Sequence, residues 1–106
     1  MNQQKSHRLP RYLRNKPYTL SYHFYDKNSS KNHLDLFIKD SKNKLIHLYM
    51  PFSGNNHNKR INKISWQVGS RHRKRYLFFQ GKLSKNRGKI FIIERGYLSL
   101  KLVEYK

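Results

Sequence analysis

The chain has no cysteine, no alanine and only five acidic residues among 106. Without cysteine there can be no disulfide, no thiolate zinc site and no cysteine nucleophile. Without alanine the strongest helix former is missing. No apolar run approaches the ~20 residues that a membrane-spanning helix needs, and no Lys/Arg-then-apolar signal segment opens the chain. The expected address is therefore an aqueous intracellular compartment, the cytoplasm, with no membrane partner.

Positive charge is abundant. There are 24 Lys and Arg against 5 Asp and Glu, a net charge of +19. Phosphates would offset the resulting self-repulsion, and binding them releases counterions, so the expected partner is a nucleic acid. No amphipathic helix supports an anionic membrane instead. The length suits one domain, since domains run roughly 100–200 residues. Apolar residues make up 36% of the chain and aromatic residues 14%, enough for one lean core.

Short runs of alternating polarity, separated by Asn, Ser, Gly and Lys clusters, read as strands and turns. Residues 1–17 read as a basic N-terminal arm, interrupted by Pro10 and Pro17 and charged by Lys5, Arg8, Arg11, Arg14 and Lys16. Residues 18–106 read as one folded domain. Strands are expected over 19–26, 33–39, 45–50, 61–68, 75–80, 89–94 and 97–103, the last two broken at Arg95-Gly96. About seven short strands predict an all-β fold, a small closed or nearly closed β-barrel whose closure hides its edges.

Two clusters carry chemistry. His33 and Asp35 form a His-x-Asp pair on a predicted strand, so both project from one face, opposite Leu34, Leu36 and Ile38. His23 lies opposite Leu20, Tyr22 and Phe24. If the first two strands form a hairpin around Ser29, His23 faces Asp35 directly and His33 is the diagonal neighbour. Two imidazoles and a carboxylate then converge, a donor set suited to Mn, Fe or Zn. A one-residue slip would send His23 to the other face. A solvated polar face on an amphipathic hairpin is the simpler alternative. The second cluster is Arg71-His72-Arg73-Lys74-Arg75-Tyr76. His72 and Tyr76 are four apart and share a face on a strand or a helix. The arginines suit phosphate, and the surrounding cations are expected to depress the His72 pKa. A solvated basic loop is the plain alternative here.

The stretch His33-Leu-Asp35-Leu-Phe37, followed by Leu45-Ile-His-Leu-Tyr-Met-Pro51, resembles the start of the 3′-phosphoesterase domain of bacterial DNA ligase D. His72-Arg73-Lys-Arg-Tyr76-Leu-Phe-Phe79-Gln80-Gly81, then Leu83-Ser-Lys-Asn-Arg87-Gly88, then Glu94-Arg-Gly96, resembles its second half. The likeness runs from about Ser21 to Tyr97 and rests on order and spacing rather than on any single motif. It implies a β-barrel around a polar crevice. The implied activity is divalent-metal-dependent removal of 3′-phosphates or 3′-terminal ribonucleotides from DNA ends, with Mn2+ favoured. It further implies His23, His33 and Asp35 as metal ligands, and His72 and Tyr76 as catalytic residues at the scissile phosphate. Arg71, Arg73, Arg75 and Arg87 would hold phosphate or nucleic acid, and a separate DNA ligase would be a partner chain. Three departures stand out. His23 precedes His33 by ten residues where about six is usual. Phe37 stands where many members carry a phosphate-binding arginine. Gln80 replaces the usual acid beside Gly81. The competing expectation is a non-catalytic, basic nucleic-acid-binding module with the same barrel.

Overall fold

The structure is a computed structural model, and it describes residues 10–40, 44–52 and 66–102. Within them the chain forms seven strands: β1 (Tyr12–Phe24), β2 (His33–Ile38), β3 (Lys44–Pro51), β4 (Gln67–Val68), β5 (His72–Arg73), β6 (Gly81–Lys82) and β7 (Lys89–Lys101). All paired neighbours run antiparallel, in the order β4-β3-β2-β1-β7-β6, with β5 also pairing with β3. Two 3-10 turns, Ser29–Lys31 and Lys74–Leu77, complete it. No helix among the described residues is long and apolar enough to cross a membrane.

The all-β expectation holds, but the sheet is not closed. β4 and β6 end the path, and no ladder joins them among the described residues. Each is two residues long and offers too few backbone bonds to seal a barrel.

Other boundaries differ from the sequence reading, each for a local reason. β1 starts at Tyr12, inside the expected arm, because residues 12–18 pair with the end of β7. Asn15 takes up the irregularity there with φ 53, a conformation asparagine tolerates. Its N–H bonds the Ser99 hydroxyl at 2.9 Å. β7 runs unbroken through Arg95-Gly96 because Gly96 faces Tyr18 across the ladder. A Cβ at Gly96 would lie 3.2 Å from the Tyr18 ring, so this glycine makes room for an aromatic neighbour instead of ending a strand. The expected strand over 75–80 is absent: its first residues belong to the second 3-10 turn, held where the Thr19 hydroxyl donates to the Leu77 carbonyl at 2.6 Å, and 78–80 follow as irregular chain. Of the expected strand over 61–68, only Gln67–Val68 falls within the described residues and is a strand.

Alternation gives the sheet two unlike faces. One carries the main core: Leu13, Ile38, Ile46 and Leu48 are buried, with Tyr18, Leu36, Trp66, Val68 and Leu100 packed against them. The opposite face carries a smaller apolar cluster of Phe37, Leu45 and Leu77, flanked by Tyr76. It also carries the polar residues Thr19, Ser21, His23, His33 and Asp35, lined up by the β1–β2 register.

Candidate metal centre

β1 and β2 pair His23 with His33 and Ser21 with Asp35. The register is thus two residues from the one expected around Ser29. A two-residue shift keeps every side chain on its face, so His23, His33 and Asp35 still meet, with Asp35 as the diagonal member. One ligand atom from each lies within 4.8 Å of the others. His33 Nε2 is 3.2 Å and His23 Nδ1 is 3.8 Å from Asp35 Oδ2.

The other ring nitrogens are already committed. His23 Nε2 donates to the Arg87 carbonyl at 2.5 Å, and His33 Nδ1 donates to the Lys31 carbonyl at 2.8 Å. Carbonyls only accept, so those nitrogens carry the protons. The loop before β2 secures the Lys31 carbonyl. There the buried Asn32 side chain accepts from the Tyr25 N–H at 2.7 Å and donates to the Tyr22 hydroxyl at 3.0 Å. In the neutral tautomers, Nδ1 of His23 and Nε2 of His33 are lone pairs facing a carboxylate oxygen. Three acceptors that face one another are electrostatically satisfied by a cation: a proton on His33, or a metal ion shared by all three. The backbone-anchored imidazole is the usual outer arrangement of a metal-ligating histidine.

Protonation follows the same contacts. Desolvation favours neutral His33, yet the hydrogen bond and charge of Asp35 outweigh it and raise the His33 pKa. Desolvation lowers that of His23, opposed by its bond to the Arg87 carbonyl. Burial works to raise Asp35, but hydrogen bonds from His33 and His47 overcome it and hold the carboxyl at about 2. Asp35 is 3% exposed and ionised.

His47 was not singled out as a site residue from the sequence. On β3 it faces Phe37 across the ladder, stacks on it at 5.0 Å between ring centres, and donates from Nε2 to Asp35 Oδ1 at 2.6 Å. One carboxylate oxygen is therefore held by His47, while the other is left toward His23 and His33. The signal was present: alternation sets His47 opposite Ile46, Leu48 and Met50, on the His33/Asp35 face. Gly69 presses against this ring; a Cβ there would lie 2.4 Å from His47 Nδ1.

His72 joins at one remove, its ring 4.2 Å from that of His47 and 5.5 Å from that of Tyr76. The two rings meet, although β5 and the second 3-10 turn bring them together rather than one strand or one helix. The pKa of His72 is lowered, as expected, but chiefly by burial, opposed by its Nδ1–H bond to the Ser70 carbonyl at 2.9 Å.

The arginines divide. Arg73 and Arg75 are exposed beside this cluster, Arg75 lying over the Phe79 ring at 4.6 Å. Arg71 instead pairs with Asp40 at 2.9 Å and bonds the Lys44 carbonyl. Arg87 serves the centre through its carbonyl, while its guanidinium folds back on Ser84. Phe37 is a core residue at 2% exposure. Gln80 accepts from the Ile92 N–H at 2.8 Å and so holds β7.

Two further observations test whether a metal fits. Ligand atoms each about 2.1 Å from one ion lie roughly 3.0–3.5 Å apart, so the 3.2 Å separation matches, while the 3.8 Å separation and the 4.8 Å bound on the whole triad mean that the two imidazoles must close inward to share an ion. The Ser21 hydroxyl, directly across from Asp35, is buried and has no protein partner. A buried polar atom of this kind calls for an ion or an ordered water. A cleft of about 300 Å³, lined by Lys31, His33, His47, Tyr49 and Pro51, reaches the centre. Comparison with known proteins found no matching family model, no matching curated protein and no matching solved structure.

Proposed function

We propose that the chain is a metal-dependent phosphoesterase acting on nucleic-acid 3′ ends, releasing a 3′-phosphate or a 3′-terminal ribonucleotide. The observation that carries this reading is the meeting of His23, His33 and Asp35, with His72 and Tyr76 alongside, from positions spread over more than half of the chain. The net charge of +19 supplies a reason for a phosphodiester substrate.

In this reading His23, His33 and Asp35 hold a divalent ion, with Mn2+ preferred. When bound, the ion supplies charge neutralisation at the phosphoryl oxygens and a lowered pKa for water. The chain does the rest. His47 holds Asp35 Oδ1, and the Lys31 and Arg87 carbonyls orient the two imidazoles. Neutral His72 keeps its proton on Nδ1, against the Ser70 carbonyl, so its Nε2 is the atom able to take a proton. Tyr76 offers a phenolic O–H to a phosphate oxygen, and Arg73 and Arg75 offer charge for the flanking phosphates.

Incubation with a 3′-phosphorylated DNA end should release inorganic phosphate with Mn2+ and none in chelator. Asp35→Ala should abolish release. Salt-sensitive DNA binding without turnover would favour a non-catalytic binding module; full activity of Asp35→Ala would remove the site.

A further inference from the structure

On the same face of the sheet, two ladder steps from Asp35, lies a second cleft of about 380 Å³. Its lining includes Pro17, Tyr18, Lys39, Phe78, Arg95 and Tyr97. Arg95 faces Thr19 across the β1–β7 ladder and Tyr97 faces Pro17, so both side chains project on the Thr19/Ser21/His23 face. Phe78 enters from the end of the second 3-10 turn, positioned by the Phe78 N–H bond to the Arg75 carbonyl and by Thr19 on the Leu77 carbonyl.

Two aromatic rings are open here. Phe78 is 62% and Tyr97 71% exposed, whereas Phe37 on the same face is 2% exposed. The Arg95 guanidinium lies 4.7 Å from the Phe78 ring centre, and Lys39 on the rim is exposed. Exposed π-faces interleaved with cations match the chemistry of unpaired bases carried on a phosphate backbone. An acidic peptide would use the cations and leave the rings idle; an apolar partner would strand the cations.

We infer that this cleft is a stacking platform for an unpaired nucleobase of single-stranded nucleic acid, with Phe78 and Tyr97 as the stacking rings and Arg95 and Lys39 as phosphate contacts. Four residues of strand separate Lys39 from Asp35, about 13 Å. That spans at most about four stacked nucleotides, so one strand can occupy the cleft and end at the metal centre. The inference deepens the proposed 3′-end reading, but the binding itself needs neither metal nor turnover.

The test is fluorescence anisotropy of a labelled single-stranded oligothymidine of about ten nucleotides and of a blunt duplex, both in chelator. Phe78→Ala and Tyr97→Ala should each weaken single-strand binding about fivefold or more, while duplex binding changes less than about twofold. Phe78→Trp should restore binding, and Phe78→Leu should not. Wild-type affinity in both alanine variants, equal losses on duplex and single strand, or full rescue by Phe78→Leu would each overturn the platform. Normal stacking behaviour with no phosphate release in Mn2+ would remove the hydrolytic reading and leave the platform standing. Turnover with alanine variants that bind normally would do the reverse.

Discussion

At the residue scale, Asp35 organises the site: a nearly inaccessible carboxylate contacted by imidazoles from three strands. His47 is predicted to act on the ion through Asp35. His47→Ala should weaken Mn2+ binding by roughly 10- to 100-fold, the usual effect of losing an outer-shell partner. His47→Gln, which can still donate to Asp35 Oδ1, should recover much of it. Titration calorimetry distinguishes the two, and identical Mn2+ affinities for both variants would refute the role. Protonation gives a second prediction. The raised pKa of His33 means that its contribution to metal-free stability is complete below 6.5 and is lost as pH climbs through its folded value. His23 and His72, both lowered, run the other way: their contribution is complete above 6.5 and is lost as pH falls through their folded values. The Asp35 contribution, about 2 kcal/mol, is complete above 3.8 and is lost as pH falls through about 2. Since an ion must replace the His33 proton, the rise in Tm produced by Mn2+ should grow from about pH 5.5 to about pH 7.5. A flat or falling increment in a thermal-shift series would contradict shared ligation.

At the element scale, the link between β4 and β5 acts as a clamp on the centre. The Gly69 N–H bonds the His47 carbonyl at 2.9 Å, and its Cα side abuts the imidazole. Gly69→Ala should lower stability by about 1–3 kcal/mol through overpacking. It should also weaken Mn2+ binding, although residue 69 touches no proposed ligand atom; urea titration with and without Mn2+ reads both effects. Element pairing also decides how much was legible beforehand. Alternation along β1 and β2 separated the faces correctly, and because parity survives a two-residue shift, the meeting of His23, His33 and Asp35 was readable although the exact pairing was not. Alternation also placed His47 on the polar face of β3, but its bond to Asp35 was not readable because it depends on the β2–β3 register. The run Tyr76-Leu77-Phe78-Phe79 looked like a strand because its aromatic and apolar content suits one. A contact of Leu77 with Thr19, 58 positions earlier, holds the run's first two residues at the end of a 3-10 turn instead. Barrel closure was inferred from strand number, and number alone did not reveal that three of the strands are two residues long.

At the scale of the whole molecule, the few negative charges are largely used internally. Asp35 is enclosed by histidines, Asp40 pairs with Arg71, and Glu94 accepts from the Tyr18 hydroxyl. The exterior is left strongly cationic, so nucleic-acid affinity should fall steeply with salt. If six phosphates are engaged, the loss between about 50 and 200 mM is roughly a thousandfold. An affinity that ignores salt would contradict a phosphate-dominated interface.

The proposed ligands come from β1 and β2, and His47 of β3 already holds Asp35, so an ion seated there would rivet β1 to β2 and brace the neighbouring β3 through that bond. Occupancy would then be felt in the backbone as well as in catalysis. Amide hydrogens of β1, β2 and β3 near the rivet should exchange with deuterium more slowly, and in concert, once Mn2+ is added, while those of the far end of β7 keep their own pace.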